Sequence, residues 1–419
     1  MDIPQGYKQT ELGIIPEDWE IVRLGDIGNF SKGAGISRED VQTGNIPAIR
    51  YGEIYTTHNY CIQIFYSYID TVVAQHAKML SYGDILFACS GETKEDIGKS
   101  VAYVNDIIAY AGGDIIVLSP DQSCYDSRFM GYATNAAYVV SQKSAKGQGD
   151  AVVHISKDSL AEIMLYVPQN KDEQQAIAEA LSDIDGLIAT LDKKIAKKRL
   201  IKQGAMQQLL TGKKRLPGFS DPWVEKRLGD MGHLMNGYTF KSETYNLAGE
   251  FKIITIANVQ SGYLMINACN RIIELPVDIQ PHQMLKKGDI LISMTGNVGR
   301  TCVVNQTKCL LNQRVGKFDI DKDFISSQFL FELLKNEHFE NAMIDAGQGA
   351  AQANIGKNDI ENYKCYVPRN KAEQKAIATI LNDMDKEIDD LEAQRDKYRL
   401  LKSGMMQKLL TGQIRLKIK

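Results

Sequence analysis

The chain has 419 residues, more than one ordinary hydrophobic core holds, so about two to four domains are expected. Its 44% hydrophobic and 24% charged residues exclude a disordered chain, and its net charge of -3 excludes a global basic excess, so nucleic-acid contacts would have to rest on local patches. Seven cysteines (Cys61, Cys89, Cys124, Cys269, Cys302, Cys309, Cys365), odd in number and never spaced CxxC, argue against a disulfide framework or a zinc site and for a reduced, cytoplasmic setting.

The opening, MDIPQGYKQTELG, has neither the charged n-region nor the apolar h-region of a signal peptide. No apolar run approaches the roughly 18 residues of a membrane span, so no membrane partner is expected. Residues 1–168 read as a first globular domain. Short β-rich runs such as Asp114 to Leu118 alternate with turn-forming Gly, Asn and Asp. Polar side chains gather near its glycines: Lys32 beside Gly33, Arg50 and Tyr51 after a strand, Lys94 and Lys99 after Gly91, then Lys143, Lys146 and Gln148. Basic and amide side chains are the ones that reach phosphates and base edges, and aromatics stack, so these are candidate DNA contacts.

Residues 169–212 read as a long helix. Ile177, Leu181, Ile184, Ile188, Leu191 and Ile195 step by fours and threes, the spacing of a coiled-coil seam. Asn170 can cap its start, with Asp172 and Glu173 in the positive first turn, and from Lys171 to Lys202 it would run about 48 Å. Gly204 is expected to break it before a short MQQLL turn.

Residues 213–368 read as a second domain of the same α+β type, with a strand at Lys252 to Ile256 and a helix from Ser326 to Asn336. Its candidate DNA contacts are Tyr238, Lys241, Asn258, Asn297, Arg300, Arg314 and Gln348. Residues 369–419 repeat the helix, with the seam kept at Ile377, Leu381, Met384, Ile388 and Leu391. Arg395 replaces the sixth apolar position, which predicts a shorter or frayed seam there, and Gly404 repeats the expected break.

The duplication organises the whole chain. From Tyr166 to Leu216 and from Tyr366 to Leu416 the sequence aligns without gaps, and 28 of the 51 positions are identical. Elsewhere only a framework recurs: Trp19 with Arg23 to Asp26 answers Trp223 with Arg227 to Asp230, Gly83 to Leu86 answers Gly288 to Leu291, and Gly147-Gln148-Gly149 answers Gly347-Gln348-Gly349. The scaffold is held alike while the intervening stretches diverge. The link that follows the first helix, TGKKRLPGFSDPW, has no full counterpart after the second, whose place the N-terminal segment can take, so the two ends are expected to meet and close a pseudo-two-fold repeat.

Charge sets the direction of helix pairing. Residues 171 to 192 carry six acidic side chains against one lysine, and 193 to 215 carry nine basic and none acidic. In the second copy, 371 to 392 carry seven acidic and three basic, and 397 to 419 seven basic and none acidic. Acid faces base along both halves only in an antiparallel pair.

Catalytic motifs are sparse. Asp84 with Glu92-Thr93-Lys94 mimics the acidic-x-Lys pattern of metal-dependent nucleases, but the matching loop of the second domain, Thr295-Gly296-Asn297-Val298, lacks both carboxylate and lysine. The six histidines have no ligand spacing, and neither a phosphate-binding loop nor an NPPY-like tetrapeptide for a flipped base is present, so no metal or catalytic residue is expected. A nuclease using Asp84, Glu92 and Lys94, and a coiled-coil adaptor that binds no DNA, stand as the alternatives to a DNA reader.

The order domain, helix, domain, helix, with EQxAIA at Glu173 to Ala178 and Glu373 to Ala378, LLTG at Leu209 to Gly212 and Leu409 to Gly412, and RLGD openings after Trp19 and Trp223, resembles the specificity subunit of type I restriction-modification systems over essentially the full length. The resemblance implies two target-recognition domains, each reading half of a split asymmetric double-stranded DNA target, with helices that fix the gap. It also implies a chain without catalysis or cofactor of its own. Two methylation subunits using S-adenosylmethionine, and restriction subunits using ATP and Mg²⁺, would assemble on it.

Overall fold

The structure, a computed structural model, describes residues 3–347 and 353–416. The chain divides into two compact units, one of Met1–Asp192 with Ala393–Lys419 and the other of Lys193–Glu392. Each unit holds one mixed α/β domain, the N-terminal part of one long helix and the C-terminal part of the other.

The two domains share a sheet order. In the first, the strands Gly28–Lys32, Ile115–Pro120, Ile85–Ala88 and Ser100–Ala102 lie side by side in that order, extended by Tyr60–Cys61. The corresponding order in the second is Gly232–Asn236, Val315–Ile320, Ile290–Ser293 and Thr301–Val303. A second, four-stranded sheet follows in each: Ser67–Ile69, Ile46–Ile49, Tyr110–Ala111, Lys78–Met79 in one, and Asn270–Ile272, Phe251–Ile254, Cys309–Leu311, Met284–Leu285 in the other. The buried central strands begin as apolar runs, ILFA and the ILI of Ile290–Ser293, because both of their faces are covered.

A two-stranded ribbon joins each domain to its helix. Trp19 lies opposite Pro168, and Trp223 opposite Pro368, so each tryptophan is carried to the start of the helix that follows the proline. The helices are Lys171–Leu209 and Lys371–Leu409. Asn170 and Asn370 cap them, each side-chain oxygen accepting a backbone N–H two residues on at 2.9 Å, as expected of Asn at that position. Gly212 and Gly412 end the following turn at φ near +70°, a conformation glycine adopts without Cβ strain.

The EQxAIA motif locks helix to domain. Glu173 and Glu373 are buried and accept from Trp19 Nε1 (3.3 Å) and Trp223 Nε1 (3.4 Å). Gln174 accepts from Asp126 N (2.8 Å) and donates to Cys124 O (3.0 Å) and Pro168 O (2.9 Å); Gln374 does the same with Ser326 N, Phe324 O and Pro368 O. Ile177, Ala178 and Leu181 then enter the first domain's core together with Leu409 and Leu410, and Ile377, Ala378 and Leu381 enter the second's together with Leu209 and Leu210. Each buried Leu or Ile contributes about 1.5–3 kcal/mol relative to exposure, which is why LLTG recurs at both helix ends.

The helices pair antiparallel within each unit, as the charge pattern requires. In the first unit Asp185 meets Lys402, and Asp192 meets Arg395 and Arg399; in the second Lys198 meets Glu387, Arg199 meets Glu392, and Lys202 meets Asp385. Of the seam, Ile177, Leu181, Ile184, Leu191, Ile195, Ile377, Leu381, Ile388 and Leu391 are buried, and Ile188 and Met384 are half-buried.

Two expectations about the helices are corrected. Neither Gly204 nor Gly404 breaks its helix: a Cβ at either would meet open space, and the roughly 1 kcal/mol propensity cost of glycine is outweighed by the apolar anchors that follow. Nor does Arg395 fray the seam. Its guanidinium turns to Asp192 (3.5 Å) and Asp396 (2.9 Å), exchanging an apolar contact for an ion pair while the helix continues to Leu409.

The chain ends do meet in the first unit. Tyr7 Oη donates to Gly412 O at 2.9 Å, and Arg415 binds Asp18 through two nitrogens at 2.8 and 2.9 Å. Arg215 makes the corresponding closure in the second unit, on Glu373 at 2.7 and 2.8 Å.

Candidate nucleic-acid interface

The candidate contacts separate into those that the fold presents and those it consumes. In the first domain the loop after Gly91 exposes Glu92, Thr93, Lys94, Glu95 and Asp96 in succession. On one side it is flanked by residues 148–154, because Ser90 and Gly91 pair with His154 and Val153, and Gln148 bridges back to His154. On the other lies the helix Tyr51–Thr56, whose Tyr55 hydroxyl packs against Gly91, where a Cβ would fall 2.9 Å away. One edge therefore gathers exposed Tyr51, Lys94 and Gln148 beside half-buried Arg50. Lys32 is exposed at the end of its strand and shares a depression with Cys89, where that loop begins.

Three of the first domain's lysines are engaged elsewhere. Lys143 is corrected outright: it is 1% exposed and donates to Gly98 O (2.6 Å) and Thr134 O (2.9 Å), so it cannot reach a base from this position. Burial without a carboxylate partner pushes its amine down to about 7. Lys99 is half-buried and donates to Tyr55 O at 3.0 Å, with burial lowering its amine as well. Lys146 is paired with Glu162.

In the second domain the turn at Thr295-Gly296-Asn297 is held by residues 353–354: Gly296 N donates to Ala353 O (2.9 Å) and Thr295 Oγ1 to Asn354 Oδ1 (2.9 Å). Met294 N donates to Arg314 O, and Thr239 Oγ1 to Gln313 Oε1 at 2.6 Å, which draws Tyr238, exposed Arg314 and exposed Asn297 toward one edge. Tyr238 donates its hydroxyl to Asp278 at 2.8 Å, and Lys241 is exposed beside Glu243.

Asn258 is the second correction. It is 2% exposed, and its oxygen accepts from Thr255 N (2.9 Å) while its nitrogen donates to Met265 O (2.9 Å), a turn-capping role that leaves nothing for a base. Glu53 does the equivalent work in the first domain by accepting from Arg50 N at 3.2 Å. Arg300 is partly spent on Gln260 (2.9 Å) and Glu340 (3.6 Å), and Gln348 lies outside the described residues.

Sequence reasoning missed Gln313 and Asn354, which share the second domain's edge, and His154, which shares the first's through Ser90 Oγ at 3.0 Å. A signal was available for two of them, since His154 and Asn354 follow the repeated Gly-Gln-Gly at matching positions, whereas Gln313 lies beside no repeated motif.

The nuclease pattern does not assemble. Asp84 is buried before the strand Ile85–Ala88, where it accepts from Ser81 N and Ser119 Oγ, whereas Glu92 and Lys94 are exposed beyond the strand's other end. No group of three or more metal-ligating side chains occurs among the described residues, and among them no helix is long and apolar enough to cross a membrane. A cavity of about 1050 Å³ in the second unit lies along the helix pair between Lys202 and Lys335 rather than at the loop edge.

Comparison with known proteins agrees with this architecture. A family model described as the type I restriction modification DNA specificity domain matches twice, over residues 16–198 and 220–398. The type I restriction enzyme MjaVIII specificity subunit of Methanocaldococcus jannaschii is 26% identical over 442 residues, spanning 99% of this chain and 97% of that one. The putative MjaX specificity subunit of the same organism is 27% identical over 435 residues, with the same shares covered. The crystal structure of the type I restriction-modification S subunit from M. genitalium shares the fold at a TM-score of 0.62 and 15% identity over 98% of each chain. With two family matches on two domains of one sheet order, the chain belongs to the type I restriction modification DNA specificity family, as a non-catalytic specificity subunit with two target-recognition domains.

Proposed function

We propose that each domain reads one half of a bipartite, asymmetric double-stranded DNA target, and that the helical segments set the interval between the halves. One observation carries the reading. The same sheet order supports unlike loops at the same framework position, eight residues from Gly91 to Gly98 against four from Gly296 to Gly299. A shared scaffold with unlike polar loops is what two readers of different sequences require.

In this reading two methylation subunits dock on the chain in the cytoplasm and restriction subunits join them. S-adenosylmethionine, ATP and Mg²⁺ are bound by those subunits. Lys32, Arg50, Tyr51, Lys94 and Gln148 are the contacts of the first domain, and Tyr238, Lys241, Asn297, Arg300 and Arg314 those of the second. Gln348, next to the repeated glycine, belongs with them by sequence.

Affinity selection from random duplex DNA by the chain complexed with methylation subunits tests this. A motif of two unlike blocks separated by a fixed unspecified interval is expected. A single block, or no enrichment, overturns it.

A further inference from the structure

The loop after Gly91 differs from its counterpart in length, chemistry and support. Between Gly91 and Gly98 stand Glu92-Thr93-Lys94-Glu95-Asp96-Ile97, where the second domain has only Asn297-Val298 between Gly296 and Gly299. The extra residues are folded, since Thr93 Oγ1 donates to Asp96 Oδ2 (3.1 Å) and Asp96 N donates back to Thr93 Oγ1 (3.3 Å). Glu92, Lys94 and Glu95 are exposed.

The support differs too. Lys143 stands under Gly98, with its Cδ 3.0 Å from where a Cβ would be, and donates to the Gly98 carbonyl. At the same place under Gly299 the second domain has buried Met343. Lys99, the residue after the loop, reaches the Tyr55 carbonyl and so ties the loop to the helix that begins after Arg50. A buried amine with no carboxylate partner is costly to keep, and a short apolar turn does without one, as Met343 shows. The cost is met only where a longer loop must be held in one place.

Resting on the reading of the first domain as a DNA reader, we propose that residues 92–96 are a base-reading insertion that recognises a G·C pair in the first half-site, with Lys143 and Lys99 as its positioning residues. Lys94 is the donor suited to guanine O6 and N7, and Glu92 or Glu95 the acceptor suited to the cytosine N4 amino group. The second domain's turn, with Asn297 alone, has no such pair of charges.

The test compares three variants with the wild-type chain, each assembled with methylation subunits and selected on random duplex DNA: Lys94→Ala, replacement of residues 92–97 by Asn-Val, and Lys143→Met, whose fit under this glycine the second domain demonstrates. The expected result is loss of about tenfold or more in discrimination at one G·C position of the first half-site in all three, with the second half-site unchanged. Wild-type selection of two blocks with Lys94→Ala and the shortened loop unaltered overturns the insertion as a reader. Change in the shortened loop but not in Lys143→Met overturns the positioning role, and change in both half-sites shows a general folding defect and overturns the assignment. A wild-type complex that selects no two-block motif defeats the underlying DNA-reading proposal, and this inference with it.

Discussion

Arg415 closes with two nitrogens on the buried carboxylate of Glu173, which lies 242 positions earlier in the chain. The same guanidinium holds Asp18, whose carboxyl it keeps below the usual range chiefly by hydrogen bonding. Arg215 on Glu373 repeats the closure. Each Trp–Glu–Arg group thus fixes the strand that carries the tryptophan, the domain's own helix and the tail of the other helix at one point.

Arg415→Ala should therefore lower the stability of the first unit by about 2 kcal/mol, the low end for stripping a buried carboxylate of its partner, since the arginine side chain is 37% exposed. Arg415→Lys should recover little of this, because an ammonium cannot make the two-nitrogen contact. Calorimetric unfolding of both variants checks it, with Arg215→Ala expected to act alike on the second unit.

The helix pair is held differently in the two units. Asp185 accepts from Lys402 and from Tyr132 Oη (2.8 Å), whereas Asp385 accepts from both Lys202 and Lys335 (2.8 Å), with Glu332 buried beside them. Asp385→Asn removes the charge shared by two ammonium groups and should destabilise its unit by about 2–3 kcal/mol; Asp185→Asn should cost about 1 kcal/mol less. Burial alone would raise the Asp385 carboxyl, but the two lysines outweigh it and hold it below 3.8. Its contribution is present above that pH and is lost as pH falls below it, so the wild type and Asp385→Asn should converge in unfolding temperature under acid conditions.

Lys143 predicts a trend of the same sense, stability rising with pH, in a higher pH window. Its amine titrates at about 7 in the folded chain and at 10.5 without burial, so the unfolded state binds the extra proton between those values. The folded chain is penalised in full below about pH 7, and the penalty shrinks as pH rises toward 10.5. Relative to wild type, Lys143→Met should be most favourable below pH 7 and lose that advantage steadily above it, a trend that parallel thermal melts from pH 6 to about 10 would measure.

Lys32 separates phosphate contacts from base contacts. It is exposed at a strand end, and Lys32→Ala should weaken DNA binding by the assembled complex about equally on all sequences, reducing the slope of log affinity against log salt by about 1. Titration at several salt concentrations reads this directly; a sequence-selective effect would place Lys32 among the base readers instead.

What the sequence made legible follows from what repeats. The duplication exposed the helices, their caps, their antiparallel charges and the framework around Gly83 and Gly288, because each depends on local pattern. Gly204 and Arg395 misled for the same reason: read locally they weaken a helix, while anchors at Leu209 and Leu210 and the carboxylate of Asp192 override them. The loop edges were legible only in outline. Lys143 and Asn258 have the composition of nucleic-acid contacts, and only the three-dimensional neighbours, Gly98 and Thr134 for one and Thr255 and Met265 for the other, reveal them as internal supports.

The central claim is a division of labour between two domains on one scaffold, and exchange of a domain tests it most directly. Residues 19 to 168 are replaced by the corresponding domain of a relative with a different target, and the chimera, assembled with methylation subunits, is selected on random duplex DNA. The account predicts that one block of the two-part motif changes and the other stays as in the wild type; change in both blocks, or in neither, would contradict it.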